Sequence, residues 1–211
     1  MIIFVRILGI AIAGVALLSS QPATAQSAPP AQARPEPPQK PKPTREEDAR
    51  QRKKVLSALL DRLATAEDAR TAKTLEQAIW QLWLQSGSPT IDILTARAIT
   101  LMNEGAFDKA LKLLDTVIRL APDYSEGWNK RATVLFFMGQ YERSRYDISR
   151  TLALEPRHFG ALSGLGLVMR EINDKKAALE AFRRALKVHP FLPGALEAVK
   201  ILGPEVEGEE L

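Results

Sequence analysis

The chain has 211 residues, 45% of them hydrophobic and 6% aromatic, with a formal charge of +4. It holds no cysteine and two histidines, which excludes disulfides and thiolate metal sites and leaves too few ligands for a zinc site without carboxylate help. This composition suits a soluble, mostly helical, cofactor-free chain with one modest domain plus extensions.

The first 25 residues read as a secretory leader. Arg6 is followed by an apolar run from Ile7 to Leu18, a break at Ser19-Ser20-Gln21-Pro22, and the small-x-small pattern Ala23-Thr24-Ala25. That layout predicts cleavage after Ala25 and export, most simply to a bacterial periplasm. Retention of the leader as an anchor is the competing expectation, weakened by Arg6 inside a stretch shorter than the roughly 20 residues a bilayer requires. Residues 26–45 contain seven of the chain's 14 prolines, together with Arg34, Lys40, Lys42 and Arg45. Each proline fixes φ and removes a backbone donor, so this stretch predicts an extended basic spacer. Membrane contact is expected only through the leader or this basic linker.

At Thr44 the composition changes. Thr44 fits a helix cap, with Glu46, Glu47 and Asp48 in the first turn near the positive end of the helix dipole. Val55, Leu56, Leu59, Leu60 and Leu63 recur at helical spacing. A second helix is predicted from Ala72 to Gln85, with Leu75, Ile79, Leu82 and Trp83 on one face and Ser86-Gly87-Ser88-Pro89 as its stop. Residues 46–90 are therefore expected to be a helix pair, a degenerate repeat that caps the array after it, with Trp80 and Trp83 in its core.

From Ile91 to Leu192 a unit recurs every 34 residues, in three phases: 91–124, 125–158 and 159–192. Leu94, Trp128 and Leu162 open the units; Ala98, Ala132 and Gly166 come next, then Leu101, Leu135 and Met169. Ala110, Ser144 and Ala178 recur later, as do Leu114, Ile148 and Phe182, and Pro122, Pro156 and Pro190 close each unit. Small residues let paired helices approach. Gly105, Gly139 and Asn173 fit a left-handed turn between helices, and each proline ends a second helix. Arg97 and Arg131 stand seventh in their units, and their stems are expected to cover apolar surface while their heads reach water.

The pattern resembles the tetratricopeptide repeat, a helix-turn-helix unit whose members bind other proteins, and within it the small exported proteins of bacterial envelopes. The resemblance implies an all-α fold: a right-handed superhelical repeat array with an N-terminal helix pair and a capping helix at 193–203. Gly203-Pro204 is expected to stop that helix, leaving an acidic tail at 204–211.

No catalytic constellation stands out. His158 and His189 fall at inter-repeat turns, and neither Ser163 nor any glycine-rich stretch has the partners that hydrolysis or phosphate binding requires. The chain is expected not to be an enzyme and to need no cofactor or metal. A basic stripe with interleaved aromatics is lacking, so nucleic acid is not an expected partner. The resemblance implies a concave groove lined by the second, fifth, ninth and twelfth positions of each first helix. These are Asp92, Thr95, Ile99 and Met102; Glu126, Asn129, Thr133 and Phe136; and Gly160, Ser163, Leu167 and Arg170. Thr95, Ile99, Met102, Asn129, Thr133, Phe136, Ser163, Leu167 and Arg170 form the candidate site. Ile99, Met102, Phe136 and Leu167 are its apolar anchors, while Asn129, Thr133 and Arg170 are placed to bond a protein segment. Family members that grip chaperone carboxylates carry lysines and asparagines where this chain has Thr95, Ile99, Gly160 and Gly164, so that clamp is absent. The expected function is a non-catalytic scaffold that binds a protein segment. The alternatives are an envelope tether acting through the basic linker, or self-association by repeat stacking.

Overall fold

A computed structural model describes residues 44–208. The predicted leader, the proline-rich stretch up to Pro43 and the last three residues of the acidic tail lie outside the described residues. Among the described residues the chain forms nine helices and no strand.

The first helix, α1 (Arg45–Ala64), begins in a capping box. The Thr44 hydroxyl accepts from the Glu47 amide, and the Glu47 carboxylate accepts from the Thr44 amide. Next, α2 (Ala69–Trp83) starts three residues earlier than the apolar pattern suggests, because the Asp68 carboxylate accepts the Thr71 amide. The three repeats then supply α3 (Pro89–Asn103) with α4 (Phe107–Leu120), α5 (Ser125–Phe137) with α6 (Tyr141–Leu154), and α7 (Phe159–Glu171) with α8 (Lys175–Val188), before α9 (Pro193–Glu207). Each helix from α3 to α9 packs on its sequence neighbours, the short-range pattern of a repeat array.

The turns are built as the spacing predicts. Gly105, Gly139 and Asn173 have φ of +72°, +70° and +65°, and each lets one helix end while the next reverses. Small residues set the close approaches. A Cβ on Gly166 would lie 2.7 Å from the Phe182 ring, and the Ser144 hydroxyl donates across the pair to the Ala132 carbonyl at 2.8 Å.

Three expectations are corrected. First, the α1–α2 hairpin does not stack on α3 as the leading layer of the array. Its apolar face, with Leu60, Leu63, Leu75, Ile79 and Trp83, packs instead on Phe159, Val188, Phe191 and Leu192. Arg157 anchors α1 to the same edge, donating to Asp61 at 2.6 Å and Ser57 at 3.1 Å. The physical reason lies in the two surfaces on offer. The exposed face of α3 mixes Ile93 with Ala96, Arg97 and Thr100, whereas the edge near the α8–α9 turn presents Val188, Phe191 and Leu192 together.

Second, α9 runs through Pro204 rather than stopping there. Leu202 and Val206 pack against α8, and Arg183–Glu207 and Lys175–Glu205 pairs tie its last turns to the same helix. These contacts offset the missing proline amide. Third, the Arg131 head is held in ion pairs rather than left to water, its side chain 17% exposed. It donates to both Asp147 oxygens, at 2.7 and 2.8 Å, and to Asp115 at 2.8 Å, linking α4, α5 and α6. These carboxylates push the guanidinium pKa further up.

A candidate peptide-binding groove

The first helices of the repeats present their ninth and twelfth positions side by side. A small pocket of about 100 Å³ opens between α5 and α7, lined by Asn129, Thr133, Phe136, Phe137, Gly164 and Leu167, among others. Gly164 forms part of its wall: a Cβ there would meet only Ile148, at 3.7 Å. The polar groups of this wall are turned inward. The Thr133 hydroxyl donates to the Asn129 carbonyl at 3.0 Å, Ser144 to Ala132, and the Asn129 amide to Glu126 at 3.0 Å. With those donors spent inside the protein, the pocket offers mainly methyl and aryl surface.

Of the nine candidate residues, Asn129, Thr133, Phe136 and Leu167 therefore converge on one pocket. Ile99 and Ser163 are half-buried on neighbouring helix positions. Met102 packs with Phe107 and Met138 in the core of α3, α4 and α5 and is not brought to the pocket. Thr95 is 1% exposed and cannot line a surface; it is buried beside Tyr124. Arg170 is exposed, 3.5 Å from Glu171. Asn129 is itself 6% exposed, so it shapes the wall more than it meets a ligand.

Sequence reasoning missed Phe137. It is 61% exposed and stacks on Phe107 at 5.6 Å, extending the apolar rim. The available signal was the aromatic pair Phe136-Phe137 closing the first helix of the second repeat, where the other repeats have Asn103 and Glu171.

The second positions behave differently from the expectation. Asp92 accepts from the Ser86 amide and hydroxyl at 2.8 and 2.6 Å, closing the α2–α3 turn. Glu126 is fully buried. Its carboxylate meets His158 Nε2 at 2.9 Å, the Asn129 amide and the Lys130 ammonium at 2.8 Å. Burial alone would raise its pKa, but the His158 hydrogen bond and the Lys130 charge outweigh that and hold it below the usual carboxylate value. His158 Nδ1 accepts the Ala161 amide at 3.1 Å, so the ring carries its proton on Nε2 and donates it to Glu126. Both ring nitrogens are thereby committed, leaving no free base for Ser163.

The α2 helix covers this network and the end of the groove. The Trp83 ring stacks on His158 at 3.8 Å, Trp80 meets Phe159 edge-on at 5.5 Å, and the Lys130 ammonium lies 4.9 Å from the Trp80 ring. A Cβ on Gly160 would sit 2.8 Å from Trp80; the space a side chain would take there is filled from α2. The open groove is thus centred on Thr133, Phe136, Phe137, Gly164 and Leu167.

Comparison with known proteins agrees with this architecture. A family model described as tetratricopeptide repeat matches residues 129–195. A TPR repeat-containing protein of Rhizobium etli is 38% identical over 156 residues, covering 74% of this chain and 76% of that protein. Among solved structures, the first TPR domain of Spaghetti (RPAP3) bound to an HSP90 peptide has a TM-score of 0.54 at 16% identity, covering 56% of this chain and 93% of that one. The Yersinia enterocolitica type III secretion chaperone SycD in complex with a peptide of the translocator YopD has a TM-score of 0.53 at 14% identity, covering 56% of this chain and 95% of that one.

Proposed function

Since the chain belongs to the tetratricopeptide-repeat family, we propose that it is a non-catalytic interaction module that holds a segment of a partner protein in the shortened concave groove. One observation carries this reading: the pocket between α5 and α7, whose polar groups are spent inside the protein and whose open surface is Phe136, Phe137, Gly164 and Leu167. A segment placing an apolar side chain there gains burial without stranding a polar group. The peptide complexes formed by the two structural neighbours support the same mode of use for this groove. The positions at which family members grip a terminal carboxylate hold Thr95, Ile99, Gly160 and Gly164 here. Recognition therefore rests on apolar fit rather than on charge.

The leader pattern at residues 1–25 supports export and a partner in the cell envelope, with the basic proline-rich stretch as the tether that spaces the array from the surface. A crosslinking pull-down from envelope extracts tests the groove. Gly164→Leu fills the pocket, and Phe136→Ala strips its rim. Both variants are expected to keep the helical content of the parent and to lose the captured protein. Capture of the same protein by all three would exclude the groove as the binding site.

A further inference from the structure

We propose that the α1–α2 hairpin is an acid-releasable cover over the N-terminal end of the groove, with His189 as the group whose protonation loosens it. Both histidines of the chain lie where α2 meets the array. His158 has partners on both ring nitrogens, in Glu126 and the Ala161 amide. His189, at the end of α8, is 2% exposed, and among the described residues neither of its ring nitrogens has a hydrogen-bond partner.

The groups facing His189 are few. From α2, Glu76 approaches Nε2 at 3.6 Å, beyond hydrogen-bond range, and the same carboxylate oxygen is held by Lys73 at 3.0 Å. From α7, the Phe159 ring meets the imidazole edge-on at 5.2 Å. A proton on His189 would thus place a charge out of water, against an aryl edge, with a carboxylate already committed to a lysine. Burial pushes its pKa below the ordinary 6.5, and the Glu76 charge only partly offsets that.

With the hairpin docked, His189 prefers to be neutral; with it undocked, the ring titrates near the ordinary value. Below about pH 6.5 the undocked state binds more protons, so docking weakens as pH falls, by at most about tenfold per pH unit for one group, until the docked pKa is reached. Above that window His189 contributes no pH dependence. Release is local because α2 is not stacked on α3, whereas each array helix is braced by its neighbours. Once α2 leaves, Gly160 and Lys130 lose their Trp80 cover and the groove widens beside Gly160. That last consequence rests on the groove reading; the release itself does not.

Fluorine NMR of the full chain labelled with 5-fluorotryptophan tests the release directly, because Trp80 and Trp83 sit on α2 and Trp128 sits on α5 within the array. Between pH 7.5 and 5.0 the Trp80 and Trp83 signals are expected to move toward solvent-exposed positions while Trp128 stays. In His189→Phe all three are expected to stay. A wild type whose signals do not move, one whose three signals move together, or a His189→Phe chain that behaves like wild type would each overturn the proposal. The proton titration of the His189 ring in the wild-type chain gives a readout independent of any variant: a midpoint below 6.5 is expected, and one at or above it would overturn the proposal.

Discussion

Gly164 and Gly166 sit two residues apart on α7 and face different surroundings, so the same substitution should have opposite effects. A Cβ on Gly166 would lie 2.7 Å from three Phe182 ring atoms. That ring is 1% exposed and packed in the α7–α8–α9 core, so it has nowhere to yield. Gly166→Ala is expected to destabilise by about 1–3 kcal/mol, the range for overpacking a filled core. At Gly164 the added methyl meets a single atom at ordinary contact distance. Gly164→Ala should therefore stabilise by about 0.5–1 kcal/mol through helix propensity. Urea denaturation of the two single variants checks both signs, and equal shifts would refute the packing argument.

At the scale of elements, the sequence was most readable where punctuation repeats. The proline at the end of each unit and the left-handed residue between paired helices set the array's boundaries, and both features rest on backbone geometry that a sequence displays directly. The ninth and twelfth positions of the groove came from the family resemblance, laid onto that period. What the sequence did not display was contact without period. Trp80 against Gly160, and Glu126 beneath His158, join residues tens of positions apart, and no local pattern marks them. The end of α9 shows a milder case: Pro204 reads as a stop, but long-range pairing keeps the helix going. Hydrogen bonds from Arg183 hold the Glu207 carboxyl below its ordinary 4.5, so this pairing is present above that value and is lost as pH falls below it. Amide exchange around Gly208, whose N–H bonds Pro204, is expected to quicken below pH 4.5 ahead of the array. Arg183→Met should show the same fraying at neutral pH, and unchanged protection in that variant would assign the last turn to Val206 packing and the Lys175–Glu205 pair.

For the whole molecule, the question is whether the hairpin belongs to the core or rests upon it. Its buried Leu60, Leu63, Leu75, Ile79 and Trp83 argue for the core, since large apolar side chains contribute about 1.5–3 kcal/mol each when fully buried. The polar network beneath it argues the other way. Glu126, Asn129, Lys130, His158 and the Ala161 amide satisfy one another within the array, so removing α2 exposes this network without breaking it. Three stacked repeats and α9 also meet the minimum that repeat architectures need for stability. A chain beginning at Ser88 is therefore expected to keep the helices from α3 onward, to melt at a lower temperature, and to bind an apolar dye at the uncovered Phe159, Phe191 and Leu192. Circular dichroism and dye fluorescence decide the matter. An unfolded product would make the hairpin part of the indivisible core, and its departure in acid would then be global unfolding rather than release of a cover.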